Sequence, residues 1–227
     1  GGNPYEFYGL QANGVYSTQA EASEAALTNS SNQAYSAGDV RYVDQNNDGR
    51  IDSKDYVSLG SATPDYFGGF YTNIRYKHFA LAAEISYSKG NEAYNAVRRT
   101  LESVSSFSNQ SVAVTNRWNV EGQVTNIPRA SYGDAIGNNN FSSRWIEDAS
   151  FLRMKSITLS YNFDKPVWNF FRSGTIYVTG ENLLTATKYL GMDPEFAYSS
   201  GSNATQGFDY AKVMQPKSVK LGINLKF

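Results

Sequence analysis

Residues 44 to 55 read Asp-Gln-Asn-Asn-Asp-Gly-Arg-Ile-Asp-Ser-Lys-Asp and carry the densest set of hard oxygen donors in the chain. Asp44, Asn46 and Asp48 stand at the first, third and fifth places of an EF-hand-type loop, and Gly49 stands at its sharp turn. Arg50 offers a backbone carbonyl, Asp52 fills the ninth place and Asp55 the twelfth. Calcium takes six to eight oxygens, and this spacing winds them about one point while glycine supplies the positive-φ turn. The twelfth residue is Asp where a longer bidentate Glu is usual, which lowers the expected affinity or alters the geometry. Without metal, the same residues read as a run of Asx turns. The expectation is a structural calcium ion held by Asp44, Asn46, Asp48, Arg50, Asp52 and Asp55.

Other chemistry is poorly supplied. The chain contains no cysteine and one histidine, His78, so thiolate zinc sites, disulfides, cysteine nucleophiles and a Ser/His/Asp triad are excluded or hard to build. Glu147-Asp148 and the scattered Asp193, Glu195 and Asp209 read as solvated loop carboxylates, and Arg98-Arg99 as a solvated helix face. No enzymatic site is expected. With 20 basic and 21 acidic residues, net charge −1, there is no electrostatic footprint for nucleic acid. Among the 227 residues, aromatics reach 15% and charged residues only 18%. That excludes disorder.

The elements that must position the loop are strands. Val219, Leu221, Ile223, Leu225 and Phe227 alternate with polar or small residues, as do Phe79, Leu81, Ala83, Ile85 and Tyr87. Phe70, Ile74 and Tyr76 precede them across a two-residue Lys77-His78 turn, giving a predicted hairpin of 70–76 with 79–87. Ile157, Leu159, Tyr161 and Phe163 make a fourth strand, 175–182 a fifth, and 5–16 a sixth interrupted at Gly9 and Gly14. Thr18 with Glu21 forms a capping box before a short helix over 19–27, and Ala93, Val97 and Leu101 suggest a second helix. The segment 199–203 reads as a loop tip. Short links at Lys77-His78 and around Pro166 alternate with excursions over 17–65, 90–144 and 185–216. That rhythm fits a membrane β-barrel with short periplasmic turns and long extracellular loops better than a compact sandwich.

The segment Gly38-Asp39-Val40-Arg41-Tyr42-Val43-Asp44-Gln45-Asn46-Asn47-Asp48-Gly49-Arg50-Ile51-Asp52 resembles the GDIKYxDxNGDGxID stretch of SusC/RagA-type TonB-linked outer-membrane proteins. Tyr66-Phe67-Gly68-Gly69-Phe70, Ser150-Phe151-Leu152-Arg153-Met154-Lys155, Thr179-Gly180-Glu181-Asn182 and Asp193-Pro194-Glu195 are similar to the family in the same order. The resemblance implies an all-β, antiparallel transmembrane barrel segment: the C-terminal strands of a large plugged barrel of about 22 strands. Residues 1–227 are then one portion of a TonB-dependent nutrient importer, with plug and TonB box outside this chain. The implied partners are the remainder of the same barrel, a SusD-like surface lipoprotein, the TonB complex, outer-membrane lipid and an oligosaccharide or peptide substrate, in a Gram-negative outer membrane. Two other readings stay open: a small self-closed outer-membrane barrel enzyme, and a soluble calcium-binding β adhesion module.

Overall fold

Strict alternation produces a single antiparallel sheet of five long strands. In a computed structural model, which describes residue 3 and residues 5–163, 172–196 and 205–226, the strands are Tyr66–Tyr76, Phe79–Lys89, Phe151–Phe163, Ser173–Thr187 and Ser218–Lys226. Each pairs with the next in sequence, so the sheet is a meander. The first two are joined by Lys77-His78 alone, with Lys77 at φ 52. The hairpin is longer than its alternation suggested, because Tyr66 pairs with Lys89 beyond the expected ends. The link around Pro166, the 199–203 loop tip and Phe227 lie outside the described residues.

Directly opposed residues share a face, so the register turns alternation into two surfaces. Ile74, Leu81, Leu159, Val178 and Leu221 lie in one row across all five strands. Phe70, Ile85, Met154 and Leu184 form another row on that face, beyond a bulge at Lys155 that realigns the strands. The opposite face carries Arg75, Glu84, Thr158, Thr179, Glu181 and Lys220. Glu84 pairs with Tyr71 and Ser156 on this polar side, as expected. Leu221 is 80% exposed and Ile74 59%, so nothing in the described residues covers the apolar face. A surface of that kind suits hydrocarbon.

The chain divides into two units, and the sheet, with its adjoining loops, is one. The other comprises residues 1–63, 92–147 and 196–212, where the excursions fold into a core of their own. Leu10, Tyr16, Tyr35, Val40, Tyr42 and Ile51 pack together, and Phe7, Tyr94 and the fully buried Trp145 form a second cluster. The expected sixth spanning strand belongs here. Glu6–Leu10 pairs with Tyr56–Ser61, and Ala12–Val15 pairs with Val40–Tyr42, neither joining the large sheet. The reason is burial: Phe7 and Leu10 insert into these clusters, Val15 is buried as well, and Gly9 lies against Phe141 where a β-carbon would collide.

The helices are shorter than expected. Gln19–Ala25 is capped by Thr18, whose hydroxyl accepts the Glu21 amide, while Glu21 reaches back to the Ser17 amide. Its end is set by Ala26 at φ 51. The second helix is Ala96–Leu101 with Asn95 as cap; Ala93 lies instead in the Glu92–Asn95 strand, buried beside Tyr94.

Candidate functional site

The acidic loop sits on the short strand Val40–Tyr42 and is clasped by its own amides. Asp44 accepts the Gly49 amide at 2.8 Å and the Asp48 amide at 3.3 Å. Asn46 accepts from the Asp48 amide, Asp48 from the Arg50 amide at 3.0 Å, and Asp52 from the Lys54 amide at 2.8 Å. Gly49 takes φ 79, the left-handed conformation the motif requires. Asp55 is wholly buried and closes the loop, accepting the Gln45 amide at 2.9 Å and the Asp52 amide at 2.8 Å. The Asn46 amide donates to Asp48, which also meets the Lys54 ammonium at 3.5 Å. The carboxylates are spread along the turn; among the described residues no three His, Cys, Asp or Glu side chains gather as a metal cluster. What these contacts show is a hydrogen-bonded clasp, with oxygen lone pairs left over on Asp44, Asn46 and Asp52.

Beneath the loop, a buried polar network fixes the strand that carries it. Asp39 is fully buried and bonds Arg129 through two contacts of 2.8 and 3.1 Å. It also accepts the Asn138 side-chain amide, whose oxygen in turn accepts the Val40 amide at 2.7 Å. Tyr42 donates its hydroxyl to the Gly137 carbonyl, and Asp134 accepts the Asn138 and Asn139 amides. Burial raises the Tyr35 and Tyr42 phenols above the ordinary tyrosine range. It also raises Asp134, and it lowers Arg144 to about 10. Gly38, at φ 85, lies so close to Trp118 that a side chain there would clash.

The basic pair Arg98-Arg99 does not form a solvated face. Arg98 bridges Glu147 and Glu102 and lies 5.2 Å from the Trp145 ring, and Arg99 donates to the Asn139 carbonyl and the Tyr94 hydroxyl. Nor are Asp193 and Glu195 free loop acids. On the polar face of the sheet, Arg153, 3% exposed, pairs with Asp193 and lies 3.3 Å from Glu195, which bonds Lys155 at 2.6 Å. Burial opposes ionisation of Asp193, but Arg153 and the Gln215 and Glu195 amides outweigh it and hold the carboxyl below its usual range. Glu181 bonds Ser218 and Lys220 across the neighbouring strand. These clusters escaped sequence reasoning because 40 residues separate Arg153 from Asp193. The Arg-x-Lys spacing at 153 and 155, matched by Asp-x-Glu at 193 and 195, is the signal that could have found them.

No family model matches the chain. A TonB-dependent receptor of Formosa agariphila is 31% identical over 226 residues, which is 97% of this chain and 22% of that receptor. SusC of Bacteroides thetaiotaomicron, also a TonB-dependent receptor, is 29% identical over 193 residues, 82% of this chain and 17% of SusC. Among solved structures, the RagAB peptide transporter superposes with a TM-score of 0.74 at 24% identity, over 100% of this chain and 23% of that one. The RagAB peptide importer in its closed-closed state gives 0.73 at 23% identity, with the same coverage. The chain spans about a fifth of the length of the curated relatives it matches.

Proposed function

The chain belongs to the SusC/RagA-type TonB-linked outer-membrane receptors, and we propose that it supplies wall strands and external loops of an active importer of nutrient oligomers. The observation that carries this reading is the five-stranded sheet with one face apolar along its length up to Lys89 and one polar face, whose long excursions leave from the end opposite the Lys77-His78 turn. In a barrel the apolar side meets lipid and the polar side lines the interior. Arg153, Lys155, Asp193, Glu195, Glu181 and Lys220 then face the lumen or plug.

The importer works with a SusD-like surface lipoprotein closing over the external loops and with TonB acting through the part of the receptor beyond this chain. Its cargo is a glycan or peptide, and its setting is a Gram-negative outer membrane. The folded loop unit supports the lid contact, since a rigid buried core presents a fixed surface at no further ordering cost. Replacing residues 44–55 by a short Gly-Ser link in the full receptor tests the reading. Uptake of a fluorescent oligomer and co-purification of the lipoprotein should both fall while the receptor still inserts. Unchanged uptake and co-purification would remove the loop from the transport role.

For the same loop we infer calcium binding by Asp44, Asn46, Asp48, the Arg50 carbonyl, Asp52 and Asp55. The support is the donor spacing, the Gly49 turn and the unused carboxylate lone pairs. The ion shares Asp55 with two amides, so it adds to a loop that is already closed and plays a structural part. Calcium should raise protection of the Asn46–Asp52 amides from exchange, and identical protection in calcium and in chelator would leave the amide clasp as the whole account.

A further inference from the structure

The apolar face of the sheet ends in charge at one height. Along the Phe79–Lys89 strand the same-face series Leu81, Ala83, Ile85 and Tyr87 is followed by Lys89; along Ser173–Thr187, Leu184 and Ala186 are followed by Lys188. Between them runs an open groove of about 530 Å³, walled by Tyr87, Leu152 and Ala186 and rimmed by Lys89, Lys188 and Asp148. Lys188 is exposed and makes no ion pair among the described residues, and the Lys89 ammonium lies 3.9 Å from Asp148. Two cations therefore face one carboxylate.

The depth of the groove identifies its surroundings. Ten residue steps separate Phe79 from Lys89, about 33 Å along a strand. At the usual tilt of about 40°, that is about 25 Å along the membrane normal, the height of a barrel's apolar band. Phe79, Tyr76 and Tyr161 mark the band's lower aromatic edge, and both lysines stand at its upper one, on the side of the long loops. Tyr87, Leu152 and Ala186 lie in one row across three strands paired to one another, so this chain supplies the walls.

We propose that this groove seats one phosphate-bearing lipid of the outer leaflet, its acyl chain against Tyr87, Leu152 and Ala186 and its phosphate between Lys89 and Lys188. Charge complementarity and continuity with the lipid-facing wall select this occupant. The inference rests on the membrane-wall reading above.

The test uses the full-length receptor released in mild detergent, with binding followed by native mass spectrometry. The probes are bisphosphorylated lipid A and its dephosphorylated form. Wild type should bind lipid A, and the Lys89→Gln/Lys188→Gln pair should bind it about thirty-fold more weakly, with about five-fold from either change alone. Dephosphorylated lipid should bind wild type and the double variant alike. Equal lipid A binding by wild type and double variant would overturn the proposal, as would displacement by millimolar inorganic phosphate, which marks a free-phosphate site. Heat-modifiable migration of both proteins on gels reports insertion separately, so a failure of the wall reading appears there and a failure of the lipid site does not.

Discussion

The two units of this chain use the same apolar residues against opposite solvents. In the loop unit, Trp145, Tyr16, Tyr42 and Leu10 are buried almost to the last atom, and Asp39 and Asn138 are buried with them and hydrogen-bonded to each other. In the sheet unit, Val219, Leu221, Ile223, Phe70 and Ile74 are turned outward, and the charges gather on the other face. A water-soluble sheet left in that state would be an aggregation site. In lipid it is a wall. What the difference teaches is that composition alone cannot separate the two regions; the spacing of apolar residues does so over most of the chain, period two in the wall and irregular in the loops beyond the first strands.

The sharpest way to break the comparison is to attack each unit's own solvent. Trp145→Ala should cost the loop unit about 3–5 kcal/mol, since it empties a core and strips Arg98 and Arg144 of the ring they lie over. Limited proteolysis should then cut within 92–147 while the sheet stays protected. Leu159→Arg, at the centre of the wall, should cost about 2–4 kcal/mol in urea unfolding from vesicles, whereas Thr158→Arg, one residue before it, should cost far less. Equal costs at 158 and 159 would erase the distinction between faces.

Smaller perturbations refine it. Asp55→Ala strands two partly buried amides and should cost about 1–3 kcal/mol, and Asp55→Asn, which keeps an acceptor, should recover part of that. The pH dependence separates the units further. Burial raises Tyr35 and Tyr42, so their contribution is fully present below the unfolded tyrosine value of about 10 and is lost as pH rises above it. Asp193 is depressed, so its contribution holds above the ordinary carboxylate range and fades as pH falls through and below it. Tyrosinate absorbance should track loop unfolding in alkali, and loss of Arg153–Asp193 pairing should appear only in acid. Least of all, Glu181→Gln, on an exposed pair with Lys220, should change stability by under about 1 kcal/mol.

The wall was legible in the sequence because lipid imposes one rule on every strand. Phe79 to Tyr87 and Val219 to Leu225 announce their faces by alternation alone, and the two-residue turn at Lys77-His78 joins the hairpin as read. The loop unit was not legible, because its logic is long-range. Tyr5 to Tyr16 alternates well enough to pass for a wall strand, but Phe7 and Leu10 are claimed by Phe141, Tyr94 and Tyr42 from far along the chain. Arg98-Arg99 looks like any exposed basic pair until Glu147 and Trp145 arrive beside it. The Asp44–Asp55 spacing was visible at once, whereas its closure by Asp55 depends on which amides the buried carboxylate meets.

The central claim is that neighbouring residues of one strand face different solvents. It is tested most directly by placing single spin-labelled cysteines in the full receptor, reconstituted in lipid in an otherwise cysteine-free background. Labels at Leu81, Leu159 and Ile223 should relax with oxygen dissolved in the bilayer, and labels at Thr158, Thr179 and Lys220 with a water-soluble nickel chelate, the preference switching at every residue from 157 to 160. The same preference at Thr158 and Leu159, or chelate access at Leu81 and Ile223, would contradict the account.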